Sequence, residues 1–306
     1  MEYDQTLLSS CQLCPRHCGV NRLSGEIGYC GSPAQLYAAR AALHFWEEPC
    51  ISGTSGSGTV FFSGCNLRCA FCQNRTIALN QGGKAITVIR LSEIFLELQQ
   101  KGAANINLVT PTHYIPQICS ALRAAKENGL IIPVVYNTGG YEEVDSLKML
   151  EGLVDIYLPD LKYYTPDLAM RLSNAPDYFE KASLALQEMF RQTGRPCFDP
   201  STSLMTRGMI VRHLLLPGQT KEAKKILRWL HNVFGNDIYV SIMNQYTPMP
   251  QIKDQPKFSD LNRRVSDEEY QRVLYFAQMI GIENGFMQEG DTAKESFIPP
   301  FTGEGL

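Results

Sequence analysis

The sequence predicts an α/β fold built on a parallel β-sheet. Short apolar runs, often β-branched, alternate with longer segments of helical periodicity, which is typical of strands joined by crossover helices. The last helical segment begins with Ser-Asp-Glu-Glu at Ser266, a sequence that fits an N-terminal capping box. Strands with right-handed crossovers form either an open sheet or a partial barrel, and spacing alone does not choose between them.

The expected strands and helices divide the chain into three parts. The strands are Thr59–Ser63, Asn105–Thr110, Ile131–Tyr136, Val154–Leu158, Met209–Leu216 and Asp237–Met243. The helices are Leu91–Lys101, Ile115–Asn128, Tyr141–Glu151, Asp177–Gln192, Lys221–Phe234 and Ser266–Ile280. We therefore expect a cysteine-rich knuckle and linker at 1–52, a strand–helix body at 53–285 and a C-terminal tail at 286–306.

Composition and charge narrow the class of protein. The 306 residues are 44% hydrophobic and 19% charged with a formal charge of −3, so we expect no nucleic-acid partner and no anionic membrane partner. No apolar run approaches the ~20 residues of a spanning helix, and the N-terminus lacks a signal peptide's basic region. Seven of the ten cysteines stand in two close groups, which favours metal ligands in a reducing cytoplasm.

The first cysteine group predicts a metal-binding knuckle. Cys11, Cys14, Cys18 and Cys30 lie in a glycine-rich segment that is too short for a hydrophobic core of its own. Four thiolates at these spacings close a tetrahedral zinc site or hold an iron–sulfur cluster, and the metal then supplies most of the folding free energy. A redox-labile disulfide pair is the alternative. We expect His17, which lies between two of the cysteines, to face solvent.

The segment between the knuckle and the first expected strand carries weaker signals. Ala38–Leu43 is apolar enough for a short strand or helix. The adjacent Glu47 and Glu48 are expected in a solvated or arginine-paired turn. The Gly and Ser residues that follow match no phosphate-binding loop, because no Gly-Lys-Ser/Thr comes after them.

The second cysteine group carries the strongest chemical signal in the chain. Cys65, Cys69 and Cys72 follow the first expected strand with Cys-x3-Cys-x2-Cys spacing. Three thiolates this close suit one metal centre, and on a four-iron cluster they leave one iron without a protein ligand. An open metal position binds a substrate or cofactor, as catalytic zinc sites also do. A zinc knuckle or a chance group of thiols is the alternative.

This motif, with Phe71 just before its third cysteine, resembles the signature of radical S-adenosylmethionine (SAM) enzymes. Gln73 and Asn74 are similar to the branch that contains pyruvate formate-lyase-activating enzymes. The resemblance covers nearly the whole chain and implies a partial (βα)6 TIM-like barrel, with its active site at the C-terminal strand ends. It also implies a [4Fe–4S] cluster on Cys65, Cys69 and Cys72, with SAM chelated by the open iron.

The resemblance further implies a reaction. Reductive cleavage of SAM gives methionine and a 5′-deoxyadenosyl radical that abstracts a hydrogen atom, with a flavodoxin or ferredoxin as electron donor. In activating enzymes this hydrogen comes from a backbone glycine of a partner glycyl radical enzyme. One rival is a radical SAM oxidoreductase acting on a small molecule or another peptide. The other is a non-catalytic electron-transfer or interaction module.

The exits of the second and third strands supply candidate SAM contacts. Many radical SAM proteins carry a Gly-Gly-Glu after the second strand, which holds the methionine amino group. This chain has Thr110, Thr112 and His113 there, so the contact is expected from a threonine or from backbone carbonyls. His113 is either a substrate-facing acid/base or a histidine that satisfies the turn. The resemblance places contacts to the ribose or methionine of SAM at Asn137 and Thr138, with helix capping as the alternative.

The later strand exits carry charged residues. Asp160 and Lys162 point to the same side of an extended strand end, and this Asp-Leu-Lys resembles one in activating enzymes that approaches the methionine end of SAM. Simple mutual pairing is the alternative. Arg212 resembles an arginine that meets the SAM carboxylate, with a buried Arg–Asp pair as the alternative. Gln245 stands loosely where activating enzymes often carry a histidine.

Two cysteines and the C-terminus complete the expectations. Cys119 falls on an apolar helix face, so we expect it in the core. Cys197 lies in the polar stretch 193–206, which we expect to form an exposed, mobile loop. The Gly- and Pro-rich stretch 290–306 is expected to close over the open side of the body or to stay disordered.

Overall fold

The framework of the molecule is one ten-stranded β-sheet. The structure, a computed structural model, describes residues 3–288 and 299–306. The strands are β1 Leu36–His44, β2 Ser57–Phe62, β3 Lys84–Ile86, β4 Ile106–Val109, β5 Val134–Thr138, β6 Ile156–Pro159, β7 Cys197–Phe198, β8 Met205–Leu214, β9 Tyr239–Met243 and β10 Gly285–Met287.

The sheet is mostly parallel and open. Its order is β10-β9-β8-β6-β5-β4-β2-β1-β3, with β7 attached to β8. The strands from β2 to β10 along this order are parallel neighbours, whereas β1, β3 and β7 are added antiparallel. Within the described residues the two end strands, β10 and β3, do not pair with each other. This α/β arrangement confirms the predicted fold class and is consistent with a partial TIM-like barrel.

Helices precede, connect and follow the strands along the chain. They are α1 Thr6–Ser9, α2 Pro49–Ser52, α3 Arg75–Ala78, α4 Val88–Gln100, α5 Ile115–Glu127, α6 Val144–Lys148, α7 Pro166–Ser173, α8 Tyr178–Thr193, α9 Thr220–Phe234 and α10 Asp267–Met279. The predicted capping box of α10 is present: the Ser266 hydroxyl accepts from the Glu269 N–H at 3.2 Å, and the Glu269 carboxylate accepts from the Ser266 N–H at 3.0 Å.

All six predicted strands exist, as β2, β4, β5, β6, β8 and β9, with ends that differ by a few residues. The apolar segment Ala38–Leu43 lies in a strand, β1. No clear sequence signal predicts β3, β7 and β10, because each is only two or three residues long and partly exposed. Cys197 is exposed on β7, so the stretch expected to be a loop contains a short antiparallel pair.

Burial follows the parallel sheet. Every residue of β2 and β4 is buried, as expected for strands covered on both faces. Cys119 is also buried, as predicted. Because the strands are parallel, their C-terminal ends lie along one edge of the sheet, and the chemically interesting residues cluster there.

The described end of the chain lies beside β1. The Gly303 N–H donates to the Ala39 carbonyl at 3.0 Å, and the Ala41 N–H donates to the Glu304 carbonyl at 2.8 Å. The Phe301 ring packs edge-on against Phe61, with centroids 5.4 Å apart. Residues 289–298 of the expected tail at 286–306 lie outside the described residues. Over the described part of the chain, no helix is both long and apolar enough to cross a bilayer.

Candidate active site

One cavity of about 440 Å³ lies at the C-terminal ends of the central parallel strands. Most of the predicted site residues line it: Cys65, Cys69, Phe71, Cys72, Thr110, Asn137, Thr138, Asp160, Lys162, Arg212 and Gln245. Thr112, His113 and the four cysteines of the knuckle are not among its lining residues. The cavity therefore brings together residues that are up to 180 positions apart in the sequence.

The loop that carries the cysteine triplet turns sharply as it leaves β2. Gly64 has a φ of +95°, and a Cβ at this position would lie 2.1 Å from the Ser32 hydroxyl, so only glycine fits. Two of the cysteine sulfurs accept hydrogen bonds: Cys65 Sγ from the Leu67 N–H at 3.4 Å, and Cys69 Sγ from the Ser173 hydroxyl at 3.0 Å. Hydrogen bonds to thiolate sulfur orient cluster ligands and tune their potential.

The three thiols form a mutually interacting group. Burial, followed by the neighbouring thiolates of Cys69 and Cys65, raises the pKa of Cys72 to about 12. Burial and the Cys69 thiolate also raise the pKa of Cys65. Cluster binding therefore has to displace protons from these sulfurs. Within the described residues, no three His, Cys, Asp or Glu side chains are placed to hold one metal ion; a four-iron cluster, however, takes each cysteine on a separate iron.

Asp160 and Lys162 form an ion pair on the cavity wall. The Lys162 ammonium donates to the Asp160 carboxylate. Burial alone would lower the pKa of Lys162, but the charge and hydrogen bond of Asp160, together with Cys69 and Tyr178, outweigh burial and the pKa is raised. The Tyr178 hydroxyl accepts from the Lys162 N–H at 3.0 Å and lies 2.9 Å from the carbonyls of Gly139 and Asp160. Tyr178 on α8 thus ties the β6 exit to the β5 exit.

Arg212 on β8 is paired with two adjacent carboxylates. Its Nε donates to Glu48 at 2.9 Å, and one terminal nitrogen donates to both Glu47 and Glu48. Glu47 also accepts from the Asn107 amide at 2.8 Å. Burial would raise the pKa of Glu48, but the charge and hydrogen bonds of Arg212, together with the Ser241 hydroxyl and a backbone N–H, outweigh burial and lower it. Glu47 and Glu48 line the same cavity, so the turn predicted to be solvated or arginine-paired is arginine-paired and buried.

Behind the cavity wall lies a buried carboxyl group, Glu142, without a cationic partner in the described structure. It accepts hydrogen bonds from the hydroxyls of Thr112 at 2.6 Å, Tyr136 at 3.2 Å and Thr138. Burial raises the pKa of Glu142 to about 7, although the three hydroxyls oppose the shift. Thr112 therefore donates a hydrogen bond to Glu142 and does not line the cavity. Glu142 links the β4 exit to the β5 exit.

The two histidines discussed from the sequence lie away from the cavity. His113 is buried, its Nε2 is 2.7 Å from the Ser63 carbonyl, and burial lowers its pKa to about 3. A neutral histidine in this position satisfies the turn rather than acting as an acid/base on substrate. His17 is partly exposed and lies 2.8 Å from Glu143.

The knuckle folds back on itself and contacts the triplet loop. The Cys11 N–H donates to the Val20 carbonyl, and the Gly19 N–H donates to the Cys11 carbonyl, both at 3.0 Å. Cys18 Sγ accepts from the Tyr29 N–H at 3.3 Å, directly beside Cys30 in the chain. Backbone bonds and close contacts thus gather the ends of the knuckle near one another.

Sequence reasoning missed three residues that organise the site: Ser173, Tyr178 and Glu142. Each is buried, and each acts through a hydrogen bond to a residue from a distant part of the chain or from the next turn. None of the three belongs to a recognisable sequence motif. Glu142 is a charged residue close to apolar neighbours in the sequence, but this does not predict which side chains it contacts.

Sequence comparisons agree with this site. The family described as "Radical SAM superfamily" matches residues 59–230, which begin at β2 and include the triplet, Asp160, Lys162 and Arg212. An uncharacterised protein of Methanocaldococcus jannaschii is 28% identical over 296 residues, covering 92% of this chain and 78% of that protein. A second uncharacterised protein of that organism is 27% identical over 169 residues, covering 50% of this chain and 49% of that one.

Two solved structures have low similarity to this chain. Methylornithine synthase (PylB) is 14% identical with a TM-score of 0.49, covering 72% of this chain and 63% of that chain. Streptococcus suis SuiB bound to S-adenosylmethionine is 13% identical with a TM-score of 0.49, covering 75% of this chain and 50% of that chain. The chain thus spans less than two thirds of either solved protein.

The family match covers more than half of the chain, and its cysteine triplet lines the cavity at the strand ends. A three-cysteine loop whose sulfurs accept hydrogen bonds fits an iron–sulfur cluster, and the polar wall beside it fits an amino-acid ligand. This chain belongs to the radical SAM superfamily, and that membership implies SAM cleavage at a [4Fe–4S] cluster.

Proposed function

We propose that this protein activates a glycyl radical enzyme by abstracting a hydrogen atom from a peptide glycine. The observation that carries the proposal is a single cavity that combines the cysteine triplet, the Asp160–Lys162 pair and an apolar rim. The similarity of Gln73 and Asn74 to the activating-enzyme branch supports the same choice.

Cys65, Cys69 and Cys72 would hold the cluster. When bound, the cluster supplies the electron that cleaves SAM into methionine and a hydrogen-abstracting 5′-deoxyadenosyl fragment. The hydroxyl of Ser173 and the N–H of Leu67 would fix the orientation of two of the thiolates. The burial of these groups keeps water away from the reacting atoms.

The methionine end of SAM is an amino-acid zwitterion, and the cavity wall offers matching charges. Lys162 would face its carboxylate and Asp160 its amino group, with Thr110, Asn137 and Thr138 as polar neighbours. Arg212 would add positive charge from the adjacent strand, partly balanced by its two glutamates. Phe71, which packs edge-on against Tyr246 at 6.2 Å, would supply an apolar surface near the ligand.

The cavity favours a large substrate over an enclosed small one. Its volume of about 440 Å³ is in the range of one drug-sized ligand, so bound SAM leaves little enclosed space for a second molecule. At its lining, Trp46 is 60% exposed and Met287 is 58% exposed. We infer that these two exposed apolar side chains contact the protein substrate. A flavodoxin or ferredoxin would supply the electron.

The test is whether this protein builds a glycyl radical on a partner. Reconstituted enzyme, reductant and SAM are incubated anaerobically with purified pyruvate formate-lyase, and the radical is measured by electron paramagnetic resonance. We expect a glycyl signal with the wild type and at least about a 100-fold weaker one with Asp160→Asn. Asp145→Asn, at the exposed Asp145–Lys148 pair, is the matched control.

The rival functions give different results in the same experiment. Formation of 5′-deoxyadenosine without a glycyl radical on any glycyl radical enzyme tested would favour a small-molecule or other peptide substrate. A reducible cluster that forms no 5′-deoxyadenosine would favour the electron-transfer or interaction module.

A further inference from the structure

A second concave surface lies beside the catalytic cavity, at one end of the sheet. It is a groove of about 990 Å³ between the edge strand β10 and helix α10. Phe286, Met287 and Gln288 line both the groove and the catalytic cavity. Because β10 is parallel to β9, its C-terminal end lies at the edge of the sheet that holds the cavity. A chain that follows β10 along the groove therefore arrives at the cavity.

The outer edge of β10 offers main-chain hydrogen-bonding groups. On one side β10 pairs with β9, and on the other side it has no partner strand among the described residues. The Val240 N–H donates to the Asn284 carbonyl at 3.0 Å. Main-chain groups alternate in direction along a parallel strand, so Phe286 also faces β9, whereas Gly285 and Met287 face outward. Such an edge is a template for pairing with another extended chain.

Hydrogen bonds hold the end of β10 in a fixed position relative to the cavity. The Tyr270 hydroxyl on α10 accepts from the Gln288 N–H and donates to the Ile242 carbonyl, both at 2.8 Å. The Gln288 side chain accepts from the Asn244 N–H and donates to the Gln245 side chain, both at 2.9 Å. Gln245 lines the catalytic cavity. A chain paired with β10 would therefore be positioned with respect to the reacting groups.

The lining of the groove is acidic and apolar. Asp267 at the start of α10 and Glu283 before β10 are both exposed carboxylates. None of the described residues that line the groove is Lys, Arg or His. Leu274 and Tyr275 add apolar surface, and Tyr275 is 70% exposed. This lining is complementary to a chain with basic and apolar side chains and repels an acidic one.

We propose that an extended segment of the protein substrate, carrying basic and apolar side chains, pairs with β10 as an added strand and enters the catalytic cavity from this groove. Main-chain bonds to Gly285 and Met287 would supply affinity, and the acidic lining would select the side chains. The proposal rests on the proposed function in one respect, namely that the substrate is a protein.

Peptide binding tests strand pairing. The probes are fluorescent peptides of about ten residues, the length of a long strand, with a central glycine between alternating lysine and valine. Two derivatives carry methyl groups on the peptide nitrogens of either the lysines or the valines, which blocks one edge of the peptide strand or the other. Fluorescence anisotropy with the cluster-loaded protein and SAM gives the dissociation constants. We expect the two derivatives to differ by about 10-fold, because only one of them keeps the N–H groups that face β10.

Charge variants test the selection of side chains. At low salt, Asp267→Asn combined with Glu283→Gln should weaken binding of the lysine peptide roughly 5-fold. A peptide with glutamate in place of lysine should bind the wild type more weakly than the lysine peptide, and this preference should shrink in the double variant. Glu268→Gln is the matched control, because Glu268 is an exposed acidic residue in the same first turn of α10 but does not line the groove.

Three results would overturn the proposal. The first is equal binding of the two methylated peptides, and the second is an unchanged preference for lysine in the double variant. The third is a wild type that binds no peptide and self-associates unless Met287→Lys is introduced, which would assign the edge to a second copy of the chain. The assay measures binding without turnover, so any of these results leaves the glycyl radical test of the proposed function intact. Conversely, edge-dependent peptide binding without a glycyl radical on any partner would contradict the proposed function alone.

Discussion

At the scale of single residues, the site depends on buried charges whose partners come from distant segments. Arg212 on β8 lies between Glu47 and Glu48, which are only 7% and 6% exposed at their side chains. A buried pair of this kind contributes little net stability compared with apolar packing, but removal of one partner leaves an uncompensated charge. The arrangement fixes the segment before β2 against β8.

Replacing Arg212 with methionine should therefore destabilise the protein strongly. Two carboxylates would remain buried without their cation, and we expect the free energy of unfolding to fall by about 3–5 kcal/mol. Denaturant unfolding measures this change. Arg171→Met is the matched control, because its partner Asp260 is partly exposed and the expected loss is under about 1 kcal/mol. Equal losses in the two variants would contradict the buried-charge interpretation.

Glu142 predicts a dependence of stability on pH. Burial raises its pKa from an ordinary value of 4.5 to about 7 in the folded state. The folded protein therefore binds this proton more tightly than the unfolded chain, so the contribution is complete below pH 4.5 and is lost as the pH rises through 7.

The comparison is between the wild type and Glu142→Gln, which keeps an acceptor for the three hydroxyls. The difference in unfolding free energy between them should move by roughly 2–3 kcal/mol from pH 4.5 to pH 8, in favour of the glutamine variant at high pH. Denaturant curves at the two pH values measure it. A difference that stays constant over this range would show that Glu142 titrates normally.

Sequence motifs identified the residues that line the cavity, but not the residues that hydrogen-bond to the strand exits behind them. The triplet, Asp160 and Lys162 belong to short local patterns, so their chemistry is visible in a few letters. Tyr178 and Glu142 act through hydroxyl and carboxyl contacts across separate strand exits. Those contacts depend on tertiary packing, which local sequence does not specify.

At the scale of elements, neighbouring strand exits approach each other so closely that a glycine between them has no room for a side chain. Gly140 follows β5 with a φ of +79°, and a Cβ there would lie 2.1 Å from the Asp160 carbonyl at the β6 exit. The close approach lets Tyr178 bridge the two exits. The apolar strands could be predicted from the sequence, whereas the short distance between the β5 and β6 exits could not.

Gly140→Ala should consequently separate the β5 and β6 exits and weaken SAM binding by roughly 10-fold or more. Gly152→Ala is the control, because Gly152 has a similar φ of +76° but nothing within 4 Å of its added Cβ. Its cost is the backbone strain alone, about 1–2 kcal/mol in stability. Calorimetric titration with SAM of the cluster-loaded proteins compares them. Equal SAM affinities would show that the close approach does not matter to the site.

At the scale of the whole molecule, the parallel sheet brings residues from β2 to β8 to one edge. The knuckle is hydrogen-bonded to the loop that follows β2 through Arg16 and Tyr29. The strand–helix alternation allowed the fold class to be predicted, since six buried strands and their helices were recognisable by period and composition. The apolar segment Ala38–Leu43 left strand and helix open for β1. The three-residue β3 and the contacts of the knuckle were beyond reach because a very short strand and an irregular loop carry little periodic signal.

Formation of 5′-deoxyadenosine tests the central claim most directly. Wild-type protein is reconstituted anaerobically, reduced with dithionite and given SAM, beside a Cys65/Cys69/Cys72→Ala variant and a Cys197→Ser control. We predict 5′-deoxyadenosine from the wild type and the Cys197 variant, and none above background from the triplet variant. A wild type that holds a reducible cluster, shows no spectral response to SAM and forms no 5′-deoxyadenosine would contradict the account.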